Sequence, residues 1–361
     1  MSKQEERKQR LDEEARLYRE KAERQITASV WDCDPIKQYV RRFGWLQVIQ
    51  DYIERRQNDG VERPLRYLTI PGPNASDIGL LYRACLLTRT NDGFPDIAIC
   101  DETSAEQVVT NLGKLRGYSS SPFHEAVRWP KGELCSFFPF DVINLDLCGA
   151  VITGHPKRHR ALKRLVGIRQ VFQLQRGQSF LLLLTTSTDD QSARRLLENV
   201  LYRNFDEDKF KEAYVRRHGV LDSSPFQQNY RAFVRLVLPK VIGRMARDRG
   251  YRIVEHFVAK YNRPSHRLIC HSFELDPLGV KDPAKKYGSR FKKFKWDELN
   301  EELANRSRNQ ASNAYEDFLP TLVQCDPQDV EDILRIDPDL KAELRNESES
   351  LIGWWRSGES E

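Results

Sequence analysis

A pair of polar residues closes an apolar run in the middle of the chain, where Asn144 and Asp146 alternate with hydrophobic residues and Gly149 follows. If this run is a buried β-strand, both polar groups emerge at its carboxyl end. An aspartate there can accept a proton or a hydrogen bond from a reacting amine, which Asn144 would help to position. The alternative is structural, because a carboxylate at a strand end also caps the next helix. Cys148, a candidate nucleophile for a reaction at C5 of a pyrimidine, is better explained as an inert small side chain.

A second pair of carboxylates, Asp101 and Glu102, follows the apolar run at 97–100. In a Rossmann-type site an acidic residue roughly 20 to 30 residues beyond the first turn binds both ribose hydroxyls. A carboxylate suits this task because it accepts two hydroxyl protons at once. One of the two residues could instead cap the helix that begins near Ser104, and both statements can hold together.

The turn at 71–77 joins a short apolar run to a helical pattern and contains Gly72 and Asn74. Glycine lets the backbone approach a ligand closely, and the N-terminus of the following helix can orient a carboxylate. We therefore expect Gly72 and Asn74 to contact a cofactor. The competing interpretation is that Gly72 and the two prolines only shape the turn, while Asp77 caps the helix.

Two basic runs could bind nucleic acid. Positive charge at 155–170 would bind phosphates by charge and counterion release, although a solvated helix face explains the run almost as well. The run at 281–296 interleaves cations with aromatic rings, as single-strand recognition requires, or else buries those rings on the domain. The candidate substrate-binding residues of the two runs are Lys157, Arg158, Arg160, Lys292, Lys293 and Trp296.

The elements that must position these groups alternate between strand and helix, which predicts an α/β fold with a mostly parallel sheet. The apolar and aromatic spacing at 35–54 predicts a preceding helix. A long helix at 226–247, which Pro239 should kink or divide, precedes two extended runs that suggest a closing β-hairpin. The strand candidates are 65–70, 97–100, 142–146 and 180–185, and the helix candidates are 77–87, 104–115, 160–175 and 192–202.

This order of elements resembles the class I S-adenosylmethionine-dependent methyltransferase fold over about residues 60 to 280. The stretch 144–149 is similar to the fourth-strand motif of tRNA guanine-N2 methyltransferases and of three-Cys-motif partner proteins. Asp146 matches that motif's Asp and Gly149 its Gly, while Leu147 and Cys148 replace its proline and aromatic residue. The resemblance implies S-adenosylmethionine at the carboxyl ends of the first, second and fourth strands, and a nucleic-acid substrate.

The composition limits which kinds of partner, metal site and membrane contact are expected. The formal charge of +5 is too small to diagnose nucleic-acid binding by itself, so local clusters must decide. Seven scattered cysteines form no C-x-x-C pair, and His266, Cys270 and His271 offer too few convergent ligands, so we expect no metal site. No run approaches the roughly 18 apolar residues that span a bilayer, which favours a cytoplasmic protein without membrane contact.

The sequence thus predicts a methyltransferase-like Rossmann domain at 61–280 between a helical extension at 1–60 and a basic, then helical, segment at 281–361. The predicted function is methyl transfer from S-adenosylmethionine to a nucleic-acid base nitrogen. The main alternative is an inactive methyltransferase-like subunit that binds nucleic acid or protein partners, for example in a bacterial multi-protein system. The charged N-terminal helix or the C-terminal tail could contact a protein partner. A nicotinamide-dependent Rossmann enzyme is a third reading, which the terminal hairpin fits poorly.

Overall fold

The computed structural model describes most of the chain between residues 34 and 352. The described ranges are 34–58, 60, 63–72, 74–87, 96–101, 105–112, 115–147, 149–151, 160–189, 208–219, 230–263, 266–278 and 296–352. The charged run at 2–26, the helix predicted at 192–202 and most of the basic run at 281–296 lie outside these residues.

One sheet of eight strands, in the order β3-β2-β1-β4-β5-β7-β6-β8, organises the fold. The first five strands in this order are parallel, β7 runs antiparallel to β5 and β6, and β8 is parallel to β6. The strands are β1 (Tyr67–Thr69), β2 (Ile97–Cys100), β3 (Gly117–Ser119), β4 (Val142–Asp146), β5 (Phe180–Ser187), β6 (Tyr251–Arg263), β7 (His266–Pro277) and β8 (Gln328–Asp329).

Helices cover both faces of this sheet. The helices are α1 (Pro35–Tyr39), α2 (Gln47–Asn58), α3 (Ser76–Arg83), α4 (Ala105–Leu112), α5 (Phe123–Ala126), α6 (Arg160–Leu174), α7 (Asp208–His218), α8 (Tyr230–Asp248), α9 (Trp296–Gln324), α10 (Val330–Ile336) and α11 (Pro338–Leu351). A π-helix, Val40–Leu46, joins α1 to α2. Among the described helices, none is long and apolar enough to cross a membrane.

Two hydrophobic clusters, one on each side of the sheet, form the core. We call the side that carries Tyr67 and Val142 the front face; it packs against α1 to α4, α10 and α11. The side that carries Leu68 and Ile143 is the back face, and it packs against α5 to α9. Because β5 is buried on both faces, its apolar run at 180–184 shows no alternation, as the sequence indicates.

The predicted α/β class with a mostly parallel sheet is confirmed. The predicted division of the long helix at Pro239 is wrong, since α8 runs through it. Pro239 is buried, as are Leu238 and Lys240 on either side of it, so packing of this part of α8 can compensate for the lost backbone hydrogen bond. The strands β3 and β8 were not predicted. β6 and β7 pair antiparallel, but β8 lies outside β6, so this pair is not the edge of the described sheet.

The helix predicted at 35–54 is continuous, but its middle turn is the wider π form. This turn lies against β6 and β7 at Gly44. A Cβ atom there would come within 2.5 Å of the Phe257 ring, so only glycine permits the approach. The Gly44 carbonyl accepts a hydrogen bond from the Ser272 hydroxyl at 2.6 Å, which partners a backbone group outside the usual helical ladder.

Candidate functional site

The carboxyl edge of the parallel strands contains the topological switch point of the sheet. After β1 the chain crosses to β2 on one side, whereas β4 lies on the other side of β1. Open α/β sheets bind ligands in the crevice that this reversal creates. The residues predicted to act on a ligand, at the ends of β1, β2 and β4, therefore belong to one edge of one sheet.

A buried network centred on Asp77 joins β1, β4 and α3 at this edge. The Tyr67 and Thr69 hydroxyls donate to Asp77 Oδ2 at 2.8 and 2.6 Å. The Asn144 amide donates to the Tyr67 hydroxyl at 2.9 Å and to Asp77 Oδ2 at 3.3 Å. Thr69 and Asn144 are neighbours in the β1–β4 register, so both side chains lie on the front face. Asp77, in the first turn of α3, thus fastens that helix to both strands.

This network determines what Asn144 can do. Its side chain is buried, and its amide nitrogen is committed to Asp77 and Tyr67. Its carbonyl oxygen, Oδ1, is buried without a hydrogen-bond partner among the described residues. Since an unmet buried acceptor is costly, Oδ1 is the part of Asn144 that remains able to receive a donor.

Asp146 forms a buried ion pair with Lys37 of α1. Lys37 is 6% exposed and Asp146 13%, and the lysine ammonium also lies 5.9 Å from the centre of the Trp45 ring. Burial raises the pKa of Asp146, but the charges of Lys37, Arg263 and Arg41 outweigh it and leave that pKa below its ordinary value. Asp146 is therefore an anion, and the segment before the sheet supplies its nearest cation.

Polar groups continue along the front face from Asp146 to Thr185 of β5 and Cys270 of β7, which are neighbours in register. Burial raises the pKa of the Cys270 thiol to about 12, so it is inert as a nucleophile. His271 lies on the opposite face, as strand alternation predicts, with Nδ1 2.7 Å from Glu255. Within the described residues, no group of three or more His, Cys, Asp or Glu side chains is arranged to hold a metal.

The predicted cofactor residues on β1 and β2 occupy the same edge. Gly72 is exposed, and its carbonyl accepts from the Ala75 amide at 2.9 Å, which closes a tight turn. Asn74 is buried within that turn, and Ala75 has a positive φ of 45°. Asp101 is half-buried directly after β2. Glu102 lies outside the described residues.

The structure does not test the predicted nucleic-acid contacts. Arg160 and Trp296 begin α6 and α9, but their side chains lie outside what is described. The remaining predicted contacts also lie outside the described residues, and they are Lys157, Arg158, Lys292 and Lys293.

Sequence reasoning missed Lys37 and the central position of Asp77. Asp77 was considered only as a helix cap, and nothing near it indicates that Tyr67, Thr69 and Asn144 converge on one oxygen. Local signals for α1 were present, since Asp34 accepts from the Ile36 amide at 2.9 Å and Pro35 opens the helix. They place Lys37 on a helix without revealing that its partner is on β4.

Comparison with known proteins gives one similarity. Residues 30–109 and 129–224 are similar to the family described as PP_RS20740-like. These residues include β1, β2, β4 and β5 together with Lys37, Asp77 and Asp146, so the similarity spans the carboxyl-edge site. That description carries no activity. No curated protein and no solved structure matches the chain significantly.

Proposed function

We propose that this chain is a methyltransferase that uses S-adenosylmethionine and acts on a base nitrogen of RNA or DNA. The observation that carries the proposal is the anionic Asp146 at the carboxyl end of β4, beside the switch point between β1 and β4. The resemblance in strand and helix order, and the Asp and Gly of the fourth-strand motif, support the same reading.

The residues at this edge fit the cofactor. Gly72 is exposed in a tight turn and would admit backbone contact, and Asn74 lies beside it. Asp101 retains solvent contact after β2, where a carboxylate can accept both hydroxyls of a ribose. The buried Asn144 Oδ1 offers a further acceptor at the same edge. When bound, S-adenosylmethionine would supply a methyl group carried on a sulfonium.

Asp146 would orient the accepting nitrogen. An exocyclic amine must lose or share a proton as it becomes a nucleophile, and a charged carboxylate accepts that hydrogen bond. The Lys37 ammonium keeps Asp146 ionised in a buried setting that would otherwise favour its neutral form. The Asp77 network would hold Asn144 still beside it.

Calorimetric titration with S-adenosylmethionine and with S-adenosylhomocysteine tests the cofactor half of the proposal. We expect binding that Asp101→Ala weakens at least about tenfold, through the loss of charge-assisted hydrogen bonds. Glu106→Ala is the matched control, because Glu106 is an exposed acid in the next helix, and it should bind as the wild type does. No binding by a folded protein would overturn the proposal.

Methylation of RNA and DNA tests the catalytic half. Asp146→Asn should abolish methyl transfer while cofactor affinity remains, because the amide cannot accept the amine proton. Unchanged activity would remove Asp146 from the mechanism.

The second candidate is an inactive methyltransferase-like subunit that binds nucleic acid or a protein partner. The Lys37–Asp146 pair favours it, because a buried cation already occupies the carboxylate that the reaction needs. Absence of cofactor binding together with retained nucleic-acid affinity would identify this candidate. The predicted nucleic-acid residues Lys157, Arg158, Arg160, Lys292, Lys293 and Trp296 would serve either function.

A further inference from the structure

We propose that a cleft on the back face of the sheet, at the ends of β6 and β7, is a binding site for a phosphate group. The cleft has a volume of about 350 Å³ and is lined by four basic side chains, Arg231, Arg235, Lys260 and Arg267. Among the described residues that line it, Asp326 is the only acid. The proposal does not depend on methyl transfer.

The four cations converge because three elements meet there. Arg231 and Arg235 are one helical turn apart on α8. Lys260 of β6 pairs in register with Ile269 of β7, and Arg267 lies two residues before Ile269, so all three point to the back face beneath α8. Burial lowers the pKa of Arg231, and the charge of Arg267 acts in the same direction, whereas the charges of Glu331, Asp189 and Asp329 oppose it.

The acids around the cleft offset part of this charge, and Glu331 acts on Arg231 from outside the described lining. Asp326 binds Arg217 with both carboxylate oxygens at 2.6 Å, so it is already neutralised. The acids that pair with three of the basic side chains are absent from the described lining. These pairs are Arg235 with Glu255, Lys260 with Asp329 and Arg267 with Asp189.

Two of the arginines also have donors to spare. Arg235 is about 97% buried and gives Nη2 to Glu255 at 2.6 Å, while its Nε and Nη1 have no partner among the described residues. Arg231 uses Nη2 for Asn262 at 2.5 Å and leaves Nε buried and unpartnered. A phosphate has several charged oxygens and can therefore accept from more than one guanidinium at once.

Titration with inorganic pyrophosphate, and with a single-stranded oligonucleotide of about 12 nucleotides, tests the site. Arg231→Gln and Arg267→Gln should each weaken binding at least about tenfold. These variants leave Arg235 in place, because its loss would deprive the buried Glu255 carboxylate of this ion-pair partner.

Arg252→Gln is the matched control. Arg252 is on the same strand pair, is 53% exposed and pairs with Asp276 at 2.7 Å; Arg267 is 54% exposed and pairs with Asp189 at 2.8 Å. The control should bind as the wild type does. Equal affinities for all three variants, or no binding of either probe to the folded wild type, would overturn the proposal.

The two probes separate the possible sources of the phosphate. Binding of pyrophosphate alone identifies a free phosphate ligand. If the oligonucleotide also binds, and each variant reduces the salt dependence of that binding by about one phosphate contact, the site holds a nucleic-acid backbone. Cofactor titration of the same variants should be unchanged, which keeps this test separate from that of the methyltransferase proposal.

Discussion

Two aspartates at opposite ends of one strand have different surroundings. Asp141, just before β4, is 2% exposed and receives three arginine donors and a backbone amide. Arg63 binds both of its oxygens at 2.7 Å, and Arg56 adds a further contact. Asp146, the last residue of β4, forms an ion pair with Lys37 and keeps some exposure.

The difference shows which carboxylate is free to act. At the amino edge every strong acceptor site of Asp141 is occupied by this chain, which ties α2 and the loop before β1 to the sheet. At the carboxyl edge Lys37 is the nearest of three cations that keep Asp146 ionised, and its ammonium contacts one of the two carboxylate oxygens, Oδ2. The same residue type therefore serves as a structural tie at one end and as a candidate ligand group at the other.

Asp141→Asn should cause the largest loss of stability. An amide cannot satisfy the clustered arginines, so the free energy of unfolding should fall by about 4 kcal/mol in denaturant titration. The control is Asp326→Asn, because Asp326 also binds an arginine with both oxygens but is 80% exposed; its cost should stay under about 1 kcal/mol. Equal costs would contradict a structural role specific to Asp141.

Lys37→Met should cost slightly less, about 3 kcal/mol, because it leaves the Asp146 charge buried without its partner. Lys209→Met removes a lysine from an exposed ion pair with Asp317, where solvent screens the charges, and should leave the unfolding free energy almost unchanged. Thermal or denaturant unfolding measures both. A neutral result for Lys37→Met would mean that the ion pair does not hold the carboxyl edge together.

The cost of Lys37→Met should also depend on pH. In the wild type the folded pKa of Asp146 is below 3.8, so its contribution is present above that pH and is lost as the pH falls through the folded pKa. Without Lys37, burial raises the pKa of Asp146, and the variant gains by protonating the carboxyl at a higher pH. The stability difference should therefore shrink between pH 7 and pH 3. If the stability difference between the wild type and Lys37→Met does not change with pH, the loss of stability comes from packing and not from charge.

Loss of single hydroxyls in the Asp77 network should have the smallest effects. Tyr67→Phe removes a donor to Asp77 and an acceptor for Asn144, which should cost about 2 kcal/mol of unfolding free energy. Thr69→Val removes one donor and should cost about 1 kcal/mol. Thr110→Val is the control, since the exposed Thr110 hydroxyl donates to the backbone carbonyl of Glu106 in its own helix. If Thr110→Val lowers the free energy of unfolding as much as Tyr67→Phe does, the Asp77 network contributes no more than an exposed hydroxyl.

The sequence was sufficient for the parts of the fold that arise from continuous burial. The strands β2 and β4 have the predicted bounds, and β5 extends the predicted run by two residues, because strands covered on both faces carry mostly apolar side chains. The strands β3 and β8 have three and two residues and contain no apolar run, so they were not predicted from the sequence.

The candidate site was predictable only in part. Asp101, Asn144 and Asp146 were found because strand ends are a local property. Their partners were not, because the contacts of Lys37 with Asp146 and of Tyr67 with Asp77 depend on how separate elements pack. Alternation predicted that Cys270 and His271 face opposite sides, but it could not reveal the Arg235–Glu255–His271 cluster beneath α8.

The absence of a side chain at Gly44 has an effect beyond its own turn. A methyl group at position 44 would come within 2.5 Å of the Phe257 ring, so either that ring or the segment formed by α1, the π-helix and α2 would have to shift. A shift of the segment would move Lys37, the ion-pair partner of Asp146. The charge balance at the carboxyl edge therefore depends partly on the absence of a side chain at Gly44, and substitutions at position 44 would test this dependence.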